Sequence, residues 1–182
     1  VSGISFSGKS FTYDSTKKNL AIEGNLPTGV TVTYKNNEKT NAGTYTVTAS
    51  FTVDGNYEEI PDMTATLTIN KATYDMSAVD FSGKTVTYNG NVHSLEVVNL
   101  PEGVTVEYEE NGQINAGRYI VTANFIYDFL NYNEISSIQA LLIINKATYN
   151  MDDISFVGGN FTYDGTPKSI YITGTLPTGV NV

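Results

Sequence analysis

The 182-residue chain has one histidine and no cysteine, so the side chains most often used for nucleophilic or metal chemistry are nearly missing. His93 would need a serine and an aspartate beside it to serve as the base of a catalytic triad. The matching positions elsewhere in the chain are Lys18 and Lys168. A site filled by lysine in sister segments reads as a solvated strand edge. Without cysteine, neither a disulfide nor thiol chemistry is open to the chain. One imidazole leaves essentially oxygen ligands for a metal, which points to calcium. The candidates are Asp152-Asp153, Glu58-Glu59, Glu109-Glu110 and Asp54-Gly55-Asn56. Their spacing fits no known calcium loop and the acidic pairs do not recur in register. They read as surface charge that maintains solubility. A lysine–asparagine isopeptide crosslink has candidates in register, Lys71 with Lys146 and Asn41 with Asn115. It also needs a buried carboxylate, and no interior Asp or Glu recurs with them. The Leu-Pro-Thr-Gly of Leu26–Gly29 lacks the extra residue and the apolar tail of a sortase signal. It returns inside the chain and reads as a turn. We expect no enzyme, no metal and no cofactor.

The elements that would position any site are strands. In NAGTYTVTA, Asn41 to Ala49, the residues Tyr45, Val47, Ala49 and Phe51 alternate with Thr44, Thr46, Thr48 and Ser50. Period-2 alternation of aromatic and β-branched residues is the mark of a half-buried strand. The stretch returns as NAGRYIVTA, Asn115 to Ala123. Tyr45 and Tyr119, just inside these strands, hold the place of the tyrosine corner of immunoglobulin-like sandwiches, whose hydroxyl bonds back to nearby backbone.

Other pieces recur in the same order, which is the signature of a tandem array. Phe6-x-Gly8 returns as Phe81-x-Gly83 and Phe156-x-Gly158, at a step of 75 residues. LPTGV at Leu26–Val30 returns as LPEGV at Leu100–Val104 and LPTGV at Leu176–Val180. INKATYDM, Ile69 to Met76, is matched by INKATYNM, Ile144 to Met151. Two complete repeats, 1–76 and 77–151, and a partial third, 152–182, follow. Each unit reads as five or six strands. The inward positions include Leu20 and Ile22, then Val30, Val32 and Tyr34, and finally Ala65, Leu67 and Ile69. Asn89-Gly90 and Asp164-Gly165 favour tight turns because they tolerate positive φ. No segment has helical period. The fold class expected is all-β, tandem small antiparallel immunoglobulin-like β-sandwich repeats of about 75 residues. The alternative is a β-grasp-like sheet. The junction Lys71–Met76 has no flexible composition, so a stiff array is expected. The half-unit 152–182 should pack on the second repeat or be completed by another copy of the chain.

The formal net charge of -9 argues against nucleic acid and anionic lipid as partners. No apolar run approaches the roughly 20 residues of a membrane span. The chain opens without a signal-peptide pattern, so an exported parent would have been trimmed.

FTYDGTPKSIYITGTLPTGV, Phe161 to Val180, together with NAGTYTVTA and LTINKATYDM, resembles the MBG-type repeats. These are bacterial immunoglobulin-like modules found in tandem in large surface proteins, mostly of Gram-positive bacteria. The first repeat departs at Asp14-Ser15, where the family has Asp-Gly. The resemblance implies a secreted or cell-wall location and a stalk or adhesin role, without catalytic residues. The expected function is a non-catalytic spacer that projects or supports an adhesive region. The alternative is a module that binds host glycan or host protein, or that self-associates through the partial third repeat. Differences between repeats mark the candidate interaction surface. Thr46, Thr66 and Thr68 on the outward face become Ile120, Leu141 and Ile143, and the following loop gains Tyr127, Phe129 and Leu130. Tyr171 stands where Ala21 and Glu96 stand. Outward apolar residues need cover. The simpler expectation is that the 126–139 loop folds over them. The sharper one is an interface with another repeat or a partner.

Overall fold

The computed structural model of the chain describes residues 3–182. Two sheets form, each of four strands. The first contains β1 (Lys9–Thr12), β2 (Thr31–Lys35), β3 (Gly43–Thr52) and β4 (Met63–Asn70), in the order β1-β4-β3-β2. The second contains β5 (Lys84–Thr87), β6 (Thr105–Glu109), β7 (Gly117–Ile126) and β8 (Ile138–Asn145), in the order β5-β8-β7-β6. No helix occurs among the described residues. The chain is therefore all-β and built from tandem repeats.

The alternation seen in the sequence decides which face is buried. Val47, Ala49, Leu67 and Ile69 are buried, as are Val121, Ala123, Leu142 and Ile144. Thr44 and Thr46 face outward. Burying each large aliphatic side chain is worth about 1.5–3 kcal/mol, so the few per sheet are the main source of each repeat's stability.

Two features differ from the expectation. First, β1 runs parallel to β4, with Lys9 opposite Leu67, while β4-β3 and β3-β2 are antiparallel. The second repeat repeats this, β5 lying parallel to β8. A parallel pair needs a long connection, and here it is nearly the whole repeat. Second, the Leu20–Ile22 segment is no strand. It is the cover over the sheet, tied by side chains in place of a ladder. Leu20 N–H donates to Asn37 Oδ1 (2.9 Å), Asn37 Nδ2 donates to the Leu20 carbonyl (2.8 Å), and Ile22 N–H donates to the Tyr34 hydroxyl (2.8 Å). Asn111 and Tyr108 do the same for Leu95 and Val97. Backbone groups under an apolar layer need partners, and one asparagine supplies two. Leu20 then packs on Val47 and Leu67, flanked by Phe6, Phe11 and Tyr34.

The recurrent Phe-x-Gly also has a reason. A Cβ on Gly8 would stand 2.6 Å from the Thr66 carbonyl oxygen, and one on Gly83 2.7 Å from that of Leu141. The glycine lets β1 and β5 approach the neighbouring strand's backbone. The turn at Asp14-Ser15 keeps its shape without glycine. Ser15 adopts φ 65, close to the φ 79 of Gly90 and Gly165.

The segment 152–182 forms one antiparallel bridge, Ser155 with Thr173, and no strand. Phe156, Phe161 and Ile170, whose counterparts line the cores, are exposed. A Cβ on Gly158 would meet nothing within 4 Å. The half-unit carries the residues that face a sheet but no sheet to face.

Candidate functional site at the joint between the repeats

The linker after β4 and the loop between β7 and β8 come together. Backbone pairing starts it. Ala72 N–H donates to the Asn131 carbonyl (2.9 Å), and Asn133 N–H donates to the Ala72 carbonyl (2.8 Å). Residues around Tyr132 thus lie parallel to the linker as a one-bridge extension. Lys71 Nζ donates to the Phe129 carbonyl (2.5 Å), and Asn133 Nδ2 donates to Thr73 Oγ1 (2.8 Å).

Asn131 is the pin. It is 4 % exposed and is the buried polar side chain among the described residues. Its Oδ1 accepts the Ala42 N–H at 2.8 Å, reaching across to the first repeat. Its Nδ2 donates to Asp128 Oδ2 at 2.7 Å and lies 3.4 Å from Asn41 Oδ1. Asp128 also accepts the N–H groups of Leu130 and Asn131, so the loop is closed on itself before it meets the first repeat. A buried amide with its partners in place resists loss, because an orphaned donor costs about 1–3 kcal/mol.

Aromatic rings surround the pin. Tyr74 stacks on Tyr132, with centroids 3.9 Å apart and planes at 16°. Tyr13 meets the edge of Tyr132 at 5.5 Å, and Tyr127 meets Tyr74 edge-on at 6.2 Å. A Cβ on Gly103 would lie 3.3 Å from the Tyr74 hydroxyl, so that glycine leaves room for the ring. Burial pushes the Tyr74 phenol above its ordinary range, and Tyr132 and Asp128 add to the shift.

The candidate residues fall in several places. Tyr127 is half-buried in this joint. Phe129 contributes its carbonyl while its ring stays 75 % exposed. Ile120 lies opposite Leu141 on the outward face and is 61 % exposed; Leu141 and Ile143 are half-buried. The 126–139 loop does not fold over Ile120. Its hydrogen bonds draw it to the first repeat instead. Tyr171, 77 % exposed, lies in the half-unit. Lys71 and Asn41 serve the joint through the Phe129 carbonyl and Asn131.

His93 Nε2 lies 3.0 Å from Asn89 Oδ1. The lysines at its matching positions bind the same place on the turn, Lys18 on Asp14 and Lys168 on Asp164. The Lys18 ammonium, helped by Thr16, lowers the Asp14 carboxyl to about 2, and Lys168 does the same for Asp164. Asp54 accepts the N–H and the side-chain amide of Asn56. Both tyrosine corners form. The Tyr45 hydroxyl donates to the Asn41 carbonyl and that of Tyr119 to the Asn115 carbonyl, each at 2.9 Å.

The pin Asn131 and the cover clamps Asn37 and Asn111 were not singled out in the sequence. The signal was present. Asn37 and Asn111 recur one repeat apart, and Asp128, Asn131 and Tyr132 match Asp54, Asn56 and Tyr57.

A family model described as MBG domain matches residues 3–73 and again 77–148. No curated protein matches the chain. Among solved structures, it is similar to human protocadherin-24 EC1-2 at 9% identity, covering 80% of this chain and 99% of that one, with TM-score 0.31. It is similar to fibronectin(III)-like modules of Clostridium thermocellum CbhA at 11% identity, covering 79% and 94%, with TM-score 0.27. A third likeness is to Bacteroides ovatus SGBP-B in complex with a mixed-linkage heptasaccharide. It has 12% identity, covers 77% of this chain and 43% of that one, and has TM-score 0.28. Likenesses at these TM-scores add nothing on function.

Proposed function

The chain belongs to the MBG domain family, and we propose that it is a non-catalytic spacer of a bacterial surface protein, holding an adhesive region away from the cell. Its units are 1–76, 77–151 and the partial 152–182, and its location is extracellular, on the cell wall or secreted. No helix among the described residues is long and apolar enough to cross a membrane. The observation that supports the reading is the joint. A spacer must transmit position from one unit to the next, and a flexible linker would not. Here the second repeat meets the first through one buried amide, four further hydrogen bonds and a stacked tyrosine pair. In repeat arrays, stability is a sum of unit and neighbour terms, and the neighbour term gives stiffness.

Small-angle scattering of the full chain tests this. An elongated monomer whose maximum dimension is unchanged by concentration is expected. A distance distribution of freely jointed beads would rule the reading out. A second reading, a module for host glycan or protein, is supported by the exposed rings of Phe129 and Tyr171. It expects Phe129→Ala or Tyr171→Ala to abolish capture of the chain on a glycan array. Equal capture by both variants would reject it.

A further inference from the structure

We propose that the second repeat carries an open socket for the Asp–Asn–Tyr loop of a further MBG unit, whose strands also complete the half-unit 152–182. The proposal rests on the spacer reading but is tested separately from it. In the first repeat, the acceptor of the joint is made by Tyr13, Ala42 and Lys71–Tyr74, and it is filled by Asn131 and Tyr132. One repeat on, the same residue types recur as Tyr88, Ala116, Lys146, Ala147, Thr148 and Tyr149. They line a single cavity of about 370 Å³. Among the described residues nothing is bonded to the Ala116 N–H, the counterpart of the one that Asn131 takes.

One contact of the half-unit repeats a contact of the second repeat. A Cβ on Gly179 would lie 3.1 Å from the Tyr149 hydroxyl, just as Gly103 meets Tyr74. The apolar side of the half-unit points to the same occupant. Phe156, Phe161 and Ile170 are exposed where Phe6, Phe11 and Leu20 meet a sheet, and Gly158 awaits a strand at the place where Gly8 meets β4. A β-sheet with the strands of β2, β3 and β4 would cover these residues. The loop between its last two strands would then enter the socket, as the β7–β8 loop does one unit earlier.

The loop chemistry is present a second time. Asp54 holds Asn56 by its N–H and its side-chain amide, which leaves the Asn56 Oδ1 to accept, and Tyr57 is 75 % exposed. The first repeat thus presents matching loop chemistry, with its tyrosine unstacked and exposed among the described residues.

The test extends the full chain. A copy of Glu107–Lys146 is joined after Val182, in register with the second repeat. Amide exchange is then followed by NMR at Ala42 and Ala116. In the unextended chain Ala42 should be protected and Ala116 should exchange freely. In the extended chain Ala116 should slow toward the rate of Ala42, and the aromatic signals of Phe156 and Phe161 should shift as the rings are buried. Replacing the appended copy of Asn131 by alanine should return Ala116 to free exchange and leave the Phe156 shift in place. An extension that buries Phe156 and leaves Ala116 unprotected overturns the socket. An extension that leaves Phe156 and Phe161 as they were overturns the proposal as a whole. Scattering of the unextended chain judges the spacer reading independently.

Discussion

The loops that follow β3 and β7 share an Asp, an Asn and a Tyr, yet they end differently. In the second repeat, Asn131 is 4 % exposed and Tyr132 is stacked on Tyr74. In the first, Asn56 bonds only within its loop and Tyr57 stays 75 % exposed. Both loops are closed locally by their aspartate, Asp54 or Asp128. The difference is the neighbour. One loop meets the linker and the first repeat, and the other meets no repeat among the described residues. A loop's local chemistry thus sets its shape, and burial depends on what the array places beside it.

The two repeats should separate most clearly when a core is damaged. Leu67 and Leu142 are both fully buried and hold matching positions. Leu142→Ala should cost about 2–5 kcal/mol. It should unfold the second repeat and leave the first folded, giving a two-step urea transition. A single shared transition would mean that the repeats do not fold as separate units.

Next are the loops themselves. Asn131→Ala strands the Ala42 N–H and should cost about 1–3 kcal/mol in urea unfolding. Asn56→Ala, at the matching position, should stay within about 0.5 kcal/mol, as surface changes do. Tyr132→Ala loses a stacked and an edge contact, worth about 0.5–1.5 kcal/mol each beyond area, while Tyr57→Ala should change little. Equal costs in the two loops would erase the distinction.

Alkali should open the joint. The Tyr74 phenol is raised above the roughly 10 of an unfolded tyrosine. Its contribution is complete below that value and is lost as pH rises through the folded one. Exchange protection at Ala42, corrected for the intrinsic rise with pH, should therefore fall above about pH 10. Tyr74→Phe should flatten that fall.

The smallest effect expected is at Ser15. It holds φ 65 where the sister turns use glycine. Ser15→Gly should stabilise the first repeat by about 1 kcal/mol, since a left-handed conformation strains any residue with a Cβ. Thermal unfolding of the two repeats before and after measures it.

Much of this was legible in the sequence because a repeat reports each position more than once. The inward set of β3, the tyrosine corners and the order of turns all follow from period-2 alternation and recurrence. The parallel β1–β4 pair was not legible, since alternation shows which face is buried and says nothing of strand direction. Nor was the Leu20 segment. Its inward pattern looks like a strand, but its backbone is bonded by Asn37 and Tyr34, and no local pattern marks a side chain as the partner of distant backbone. The joint was half visible. Tyr127 and Phe129 stood out as apolar additions, yet the pin is the polar Asn131, whose role depends on Ala42 some 89 positions away in the chain.

This pin and its tyrosines fix one repeat against the next. Residual dipolar couplings measured on the full chain test it most directly. A single alignment tensor should fit the amides of β1–β4 and β5–β8 together, and Asn131→Ala with Tyr132→Ala should split it into two. Two independent tensors in the unaltered chain would contradict the account.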